Sequence, residues 1–545
     1  MTLSGLFNRI RTRALLEFET LQWQSEIAAL AGNMPANDQA GTVLLCELMA
    51  NYASIKVEIL LATALRQRGH SVAVLLPSRN TMVERLHRAA GATTFFYLDT
   101  LTTADEHDDC QRQAAVIVAE ASDLNALFDH EADGFRSGRN ALSTAIRRLR
   151  VGRLNSGSSE HRTLVGACLA ESLLTQIAVT RLLDTAKPTL ALFNERGYTP
   201  AGEVFDGCLL RGVDCVQWFG APQSDSLIYK RYTLATRDRH PLALGSDTWT
   251  SLQQADFPPA EEDRIMQLLA RNYAKGAWFN RQQLQEGKAV FDAVETRRRL
   301  GVAERRKVAV VFAHILYDAT FFYGSSLFQD YEAWLIETVR CAIANPALDW
   351  IIKVHPVNVW RSKMDGAPME QLESIAIERA VGTLPPHVRI LPADTTINTY
   401  SLFGAIDYGI TVRGTIGMEL PCFGIPTVTA GTGRYSGAGF TIDPQTPDEY
   451  RAVLARLHET PPLDQAAIRL ARLYLWGTFF RRPVRMQSFL LDFNANRYGL
   501  SDLTADTTIS PAVQTSGHFL DDVENIATWL SSSTASDLLE QDSPA

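Results

Sequence analysis

Residues 406–439 read I-D-Y-G-I-T-V-R-G-T-I-G-M-E-L-P-C-F-G-I-P-T-V-T-A-G-T-G-R-Y-S-G-A-G. The apolar run from Tyr408 to Val412 predicts a buried strand. Arg413-Gly414-Thr415 follows, then a short helix carrying Glu419, then Gly424 and Pro426 ahead of a second strand, Thr427 to Thr429. A strand that turns through Gly-Thr into a helix start offers backbone N–H groups and the positive end of a helix dipole to an anion. Gly414 and Gly417 would let such a ligand approach the main chain, and the Glu419 carboxylate, one turn in, would accept from ribose hydroxyls. The plain alternative is an ordinary βαβ turn, because short glycine motifs match by accident.

Around this stretch the chain has 545 residues, 46% hydrophobic and 21% charged, enough for two core-bearing domains. A net charge of −9 gives no global basic field, so nucleic acid is not expected as a partner and any anion must be held by local clusters. The seven cysteines, Cys46, Cys110, Cys168, Cys208, Cys215, Cys341 and Cys422, show no CxxC pairing. That spacing suggests neither a zinc site nor a disulfide framework, and it fits a reducing cytoplasm. No run approaches the ~18 uninterrupted apolar residues of a membrane span, and the N-terminus lacks a signal-peptide core. The opening segment does place Leu3, Phe7 and Ile10 at helical spacing beside Arg9, Arg11 and Arg13. It would rest on the inner face of the membrane as a peripheral helix, or pack on its own protein.

The first half alternates strands and helices. Thr42 to Leu48 reads as a strand, Ile55 to Gln67 as a helix closed by Arg68-Gly69-His70, and Ser71 to Leu76 as a strand. A later unit repeats the logic: helix Leu164 to Leu183, a break at Lys187-Pro188, strand Thr189 to Phe193, helix Ala201 to Arg211, strand Val213 to Trp218. Such alternation predicts a parallel sheet covered on both faces. Between them, Leu142 to Arg153 is a basic helical stretch, either a solvated face or a contact for an anionic acceptor. The helical, charged region from Gln253 to Arg299 reads as a bridge.

The second half repeats the pattern, with a strand from Lys307, a helix Asp330 to Asn345 stopped by Pro346, and strands Trp350 to Val354 and Val388 to Leu391 before the 406–439 unit. Open parallel sheets bind ligands beyond the carboxyl ends of their strands. His314, Asp318, Lys353, His355, Asp394, Arg413, Gly414 and Thr415 all fall at or just past such ends, which predicts one composite site. We therefore expect an α/β protein with an N-terminal domain over 1–295, a nucleotide-binding domain over 300–490 and an acidic tail over 496–545, the last dozen residues mobile.

Several strings carry a resemblance. Glu419, an apolar run, Gly424-x-Pro426 and a strand resemble the donor half of GT-B glycosyltransferases, whose two Rossmann-like domains face across a cleft. The R-G-H ending at His70 is similar to their first unit. Lys353-Val-His-Pro356 resembles the HP motif of GT-B enzymes that use CMP-activated sugars, the sialyl- and Kdo-transferases, and a K-x-H-P of CDP-glycerol polymer transferases. Phe312 to Gly324, Asp330 to Thr338 and Trp350 to Asn358 are similar to bacterial capsule and surface-polysaccharide proteins, best over Lys307 to Glu449. The resemblance implies that His355 contacts the donor phosphate and helps it leave, with the Gly-Thr turn on its other side. An imidazolium and a helix start can both neutralise charge on a departing phosphate.

An inverting transfer needs a carboxylate to deprotonate the acceptor hydroxyl, supplied in GT-B folds by the N-terminal domain. The sialyltransferase D/E-D-G motif is missing, and Glu195 and Glu47 are the candidates. Glu195 is preferred because Asn194-Glu-Arg-Gly-Tyr198 combines a carboxylate, a cation and a glycine at a strand end. No D-x-D follows an apolar strand, so a metal-independent reaction without a cofactor is expected, with a nucleotide-sugar donor and a glycan or glycolipid acceptor. The competing expectations are a CDP-alditol phosphotransferase, a sugar-nucleotide 2-epimerase, or a non-catalytic polysaccharide-export partner.

Overall fold

Runs such as Val308-Ala-Val-Val-Phe312 are buried along their whole length, as strands covered by helices on both faces must be. The computed structural model describes residues 17–18, 20–32, 40–48, 52–223, 225–274, 284–285, 287–359, 362, 369–492 and 506–540. The amphipathic opening segment lies outside these residues. Two parallel-based sheets form. In spatial order the first runs Val484–Arg485, Ser226–Tyr232, Asp214–Gly220, Leu190–Phe193, Thr42–Cys46, Ser71–Leu76 and Thr94–Tyr97, and the second Thr427–Thr429, Tyr408–Thr411, Val308–Phe312, Asp349–Lys353 and Val388–Leu391.

The first sheet contains β1 (Thr42–Cys46), β2 (Ser71–Leu76), β3 (Thr94–Tyr97), β4 (Leu190–Phe193) and β5 (Asp214–Gly220), all parallel to their neighbours. An antiparallel edge completes it, β6 (Ser226–Tyr232). In the second, β7 (Val308–Phe312), β8 (Asp349–Lys353), β9 (Val388–Leu391), β10 (Tyr408–Thr411) and β11 (Thr427–Thr429) are parallel throughout. These are two Rossmann-like α/β domains, and their carboxyl strand ends meet across a shared cleft.

The helix Ser159–Ala186 is long and apolar enough to cross a membrane, although half of its most apolar window is buried inside the protein. Val165, Cys168, Leu169 and Leu173 share a core with Leu142 and Ile146 of the basic helix Ser137–Leu149. Its apolar character therefore serves that core.

Two features of the domain division differ from the sequence reading. The helices Ser246–Gln254 and Pro259–Ala274, counted within 1–295 although the second lies in the stretch read as a bridge, place Leu252, Ile265, Leu268 and Leu269 in one core with Met418, Cys422, Tyr435 and Tyr474. Their apolar stripes meet the helix Gln465–Trp476 of the second domain, which a linear boundary at 295 cannot anticipate. The chain then returns: after a π-type turn at Gly477–Arg481, β12 (Val484–Arg485) pairs antiparallel with β6.

The segment expected as an acidic tail also packs. β13 (Phe489–Asp492) and β14 (Asp506–Ile509) form an antiparallel pair, and the helix Asp521–Ser532 buries Val523, Ile526, Ala527 and Leu530 in the core that contains Ile59 and Leu60. Asp521 is exposed, Asp522 is buried and accepts from Gln487 N at 2.7 Å and Ser488 N at 2.9 Å, and the apolar stripe faces in, so acidic composition did not show the packing. Asp537 is buried and accepts from Lys230 Nζ at 2.9 Å, with Arg482 Nη2 at 3.0 Å. The last dozen residues are thus anchored as far as residue 540.

Two cations hold the Asp537 carboxylate below its usual range against the opposing effect of burial. Its contribution is therefore in place above the unfolded-state value of about 4 and is lost as pH falls through the lower folded value. Asp537→Ala leaves Lys230 and Arg482 buried without their anion and should cost ~3 to 5 kcal/mol. Urea unfolding at neutral pH measures it, and a loss under about 1 kcal/mol, the range of a surface pair, would show that the C-terminal segment is not part of the first domain's core.

Candidate functional site

The 406–439 stretch folds as its pattern requires. β10 ends at Thr411, and Gly414 N donates to Thr411 Oγ1 at 3.1 Å, closing the turn into the short helix Ile416–Glu419. Tyr435 Oη donates to Gly414 O at 2.7 Å. Gly417 serves this contact, since a Cβ there would meet the Tyr435 hydroxyl at 1.9 Å. Its role is to admit Tyr435 and not, as the sequence suggested, to admit a ligand.

Beyond the strand ends lies a cavity with two lobes. The inner one, about 160 Å³, is lined by Lys353, His355, Thr411, Gly414, Thr415 and Tyr273, among others. The outer one, about 390 Å³, adds Phe219 to Ala221 from the first sheet with His240, Asp318, Tyr323, Tyr331, Arg413 and Arg434. His314, His355, Gly414 and Thr415 border both. Seven of the eight strand-end residues expected in one composite site therefore meet here, His314, Asp318, Lys353, His355, Arg413, Gly414 and Thr415, whereas Asp394 lines neither lobe. The strand-end rule brings them together from three loops.

Their hydrogen bonds fix what each presents. Val357 N donates to His355 Nδ1 at 3.2 Å, which puts the neutral ring's proton on Nε2. His314 Nε2 instead accepts from Val412 N at 3.3 Å and Arg413 N at 3.4 Å, and its ring stacks on Tyr331 at 4.6 Å. Burial, then the Arg413 charge, holds His314 well below the usual histidine range, so it stays neutral. Burial and the neighbouring Lys288 charge bring Lys353 down to about 7. Asp318 Oδ1 accepts from Tyr198 Oη at 2.9 Å and pairs with Arg147 Nη1 at 3.2 Å. It is the only carboxylate lining either lobe among the described residues.

Arg413 lines the cavity, but its guanidinium is engaged elsewhere. Nη1 donates to Phe322 O at 3.0 Å, and Nη2 to Ser325 O at 3.1 Å and to Ser326 Oγ. It positions the 318–326 loop rather than reaching out as a free phosphate clamp. Phe322 of that loop packs edge-on against Tyr198 at 4.9 Å and against Gly197, where a Cβ would strike its ring at 2.2 Å.

The three glutamate candidates also stand apart from the lining. Glu419 is fully buried behind the inner lobe and accepts from Tyr273 Oη; burial raises it to about 7. It borders neither lobe, and Tyr273, which lines the inner one, takes its Oε2. Glu47 is buried beside His87 at 3.0 Å and near Glu58, which accepts from Trp218 Nε1 at 3.0 Å. Burial raises both carboxyls, and this cluster under β1 borders neither lobe. Glu195, past the end of β4, is half-buried, and its Oε1 accepts from Arg196 N at 2.7 Å and Gly197 N at 3.1 Å. Burial raises it, with Arg147 lowering it and Asp318 raising it from nearby. It thus stands behind Asp318 on the first-domain wall.

His240, Tyr323, Tyr331 and Arg434 were not anticipated. His240 lies in the connector after β6 and Arg434 in the glycine-rich loop after β11, so neither follows a strand at motif spacing. Tyr323 and Tyr331 lie within the quoted strings Phe312 to Gly324 and Asp330 to Thr338 and Arg434 within the opening stretch, but none was marked there.

No protein-family model matches the chain, and no curated protein matches it. Among solved structures it is similar to the β-Kdo 2,4-transferase KpsC of Thermosulfurimonas dismutans at 14% identity, over 61% of this chain and 87% of that one, with a TM-score of 0.33. A UDP-GlcNAc 2-epimerase from Neisseria meningitidis bound to UDP-GlcNAc gives 10%, 80%, 97% and 0.27. Anabaena HepE in complex with UDP and glucose gives 11%, 81%, 95% and 0.26. At these values the likeness assigns no activity. The two sheets and the cleft described above are themselves the GT-B arrangement expected from the sequence.

An anion held at Lys353 would bind in a pH-dependent way. UMP or CMP should bind more weakly as pH rises from 7 to 9, by up to about tenfold per unit while Lys353 loses its proton. Lys353→Arg, which stays charged, should flatten that profile. Titration calorimetry decides, and parallel profiles for the two proteins would remove Lys353 from the anion site.

Proposed function

We propose that the chain is a glycosyltransferase that moves a sugar from a nucleotide-activated donor, CMP-linked sugars included, to a hydroxyl of a capsule or other surface glycan or glycolipid. One observation carries the reading. A cavity between two Rossmann-like domains gathers Lys353, His355, Arg413, Arg434 and the Gly414-Thr415 turn, against a single lining carboxylate, in a protein of net charge −9. Such a pocket attracts an anion. The K-x-H-P resemblance suggests that the anion is the donor phosphate.

The reaction follows from these placements. The acceptor oxygen attacks the anomeric carbon, the carbon–oxygen bond to phosphate breaks, and its electron pair stays on the phosphate oxygen. His355, through Nε2–H, and protonated Lys353 stabilise that charge, in the role a metal would otherwise fill. The proton of the acceptor hydroxyl passes to a carboxylate on the opposite wall. Glu195 is the assigned base: it follows β4 on the first-domain side, burial raises its proton affinity, and the Gly197 and Arg196 amides hold it in place. Asp318, oriented by Tyr198 and Arg147, is its neighbour and the comparison case. The protein would act in the cytoplasm, at the inner membrane face where such acceptors grow.

His355→Ala should remove ~2 to 4 kcal/mol of transition-state stabilisation without shifting the unfolding midpoint. Full transfer in the folded variant would end its phosphate role. Glu195→Gln should keep nucleotide affinity while transfer falls by about two to four orders of magnitude. If Asp318→Asn has that effect and Glu195→Gln has none, the base is Asp318. A product that is an epimerised nucleotide sugar, with no acceptor consumed, would favour the 2-epimerase reading instead.

A further inference from the structure

Arg434 is the cavity-lining cation the sequence did not mark, and its surroundings are unusual. Its Nη2 faces His240 Nε2 at hydrogen-bond range. On the other side of the ring, Leu242 N donates to His240 Nδ1 at 2.9 Å. A neutral imidazole carries one proton and one acceptor nitrogen, so with Nδ1 accepting, the proton is on Nε2. Burial first, then the Arg434 charge, keeps His240 well below the usual histidine range, so the ring is neutral. An Arg N–H and a His Nε2–H therefore converge on one another, donor facing donor. Neither N–H satisfies the other, and both residues line the outer lobe, where a ligand acceptor can meet them.

Charge points the same way. Among the described residues no carboxylate pairs with Arg434 or with Arg413, and the one lining carboxylate, Asp318, already pairs with Arg147. Arg413 uses its Nη groups on the 318–326 loop, but Arg434 has no such carbonyl set. His355, Gly414 and Thr415 border both lobes and Lys353 the inner one alone, whereas Arg434 and His240 stand on the outer lobe alone, apart from Lys353.

We propose that Arg434 and His240 form a second anion subsite, which reads an anionic group on the ligand beyond the phosphate held at Gly414, Thr415 and His355. The proposal rests on the nucleotide-donor reading. Two sources have this chemistry: the second phosphate of a nucleoside diphosphate, or a carboxylate on the transferred sugar. His240 is tied to the same loop by His240 N donating to Gly433 O at 2.8 Å, so the subsite spans the connector between the two domains.

Calorimetry with UMP, UDP, CMP, CDP and a CMP-linked sugar acid tests this on the full chain. The wild type should bind at least one doubly anionic probe ten-fold or more tighter than its mononucleotide. A gain for the diphosphates identifies the second phosphate, and a gain for the sugar acid identifies the carboxylate. Arg434→Gln should reduce that preference to about two-fold or less while mononucleotide affinity holds, and His240→Asn should reduce it independently, with unfolding midpoints confirming both folds. His355→Ala should weaken all probes alike. Nucleotide binding without any such preference in the wild type, or a preference that survives Arg434→Gln, overturns the subsite and leaves the donor reading standing. Absence of binding to every nucleotide overturns both.

Discussion

The buried Arg413 guanidinium organises the cleft. It leaves the strand β10 at the point where a phosphate-binding turn begins, yet it spends its donors on the carbonyls of Phe322 and Ser325 and on Ser326. A charge taken out of water must be met by well-placed dipoles, or burial costs several kcal/mol. The price is met by folding the 318–326 loop around it. That loop holds Ala319 and Tyr323 at φ of 53° and 72°, conformations that need such support.

From that loop the other domain is set in place. Phe322 fits against Gly197 and Tyr198, Tyr198 reaches Asp318, and Gln217 Nε2 donates to Tyr323 Oη at 3.4 Å. Arg196, also buried, donates to Gln217 Oε1 at 2.9 Å and to the carbonyls of Arg237 and Arg239 in the connector. Two arginines, one from each domain, thus grip the loop and the connector between the sheets. The wall that carries Glu195 and the wall that carries His355 are positioned by the same contacts.

The return of the chain to the first sheet adds a second constraint. The helix Gln465–Trp476 completes the second domain's core, and β12 and the helix Asp521–Ser532 complete the first. Neither sheet has its full core until the C-terminal segment is placed. Lys230, Arg482 and Asp537 link three distant parts of the chain at one buried point.

The sequence alone determined the parallel sheets and the composite site, because unbroken apolar runs and Gly-bounded helices are local signals and ligands collect where strands end. It also placed Lys353, His355, Gly414 and Thr415 correctly in one cavity. What it left open depends on which faces meet. Glu419 and Glu47 occupy strand-end or helix-start positions indistinguishable by spacing from functional ones, and only packing shows that Tyr273 and His87 cover them. His240 and Arg434 lie 194 residues apart, in loops without a motif, and only the tertiary structure brings them together. The C-terminal segment reads as an acidic tail with one short apolar helix near Phe519 to Leu530, and the place of that helix was decided by an apolar stripe that needed the helix Tyr52–Gln67 to cover it.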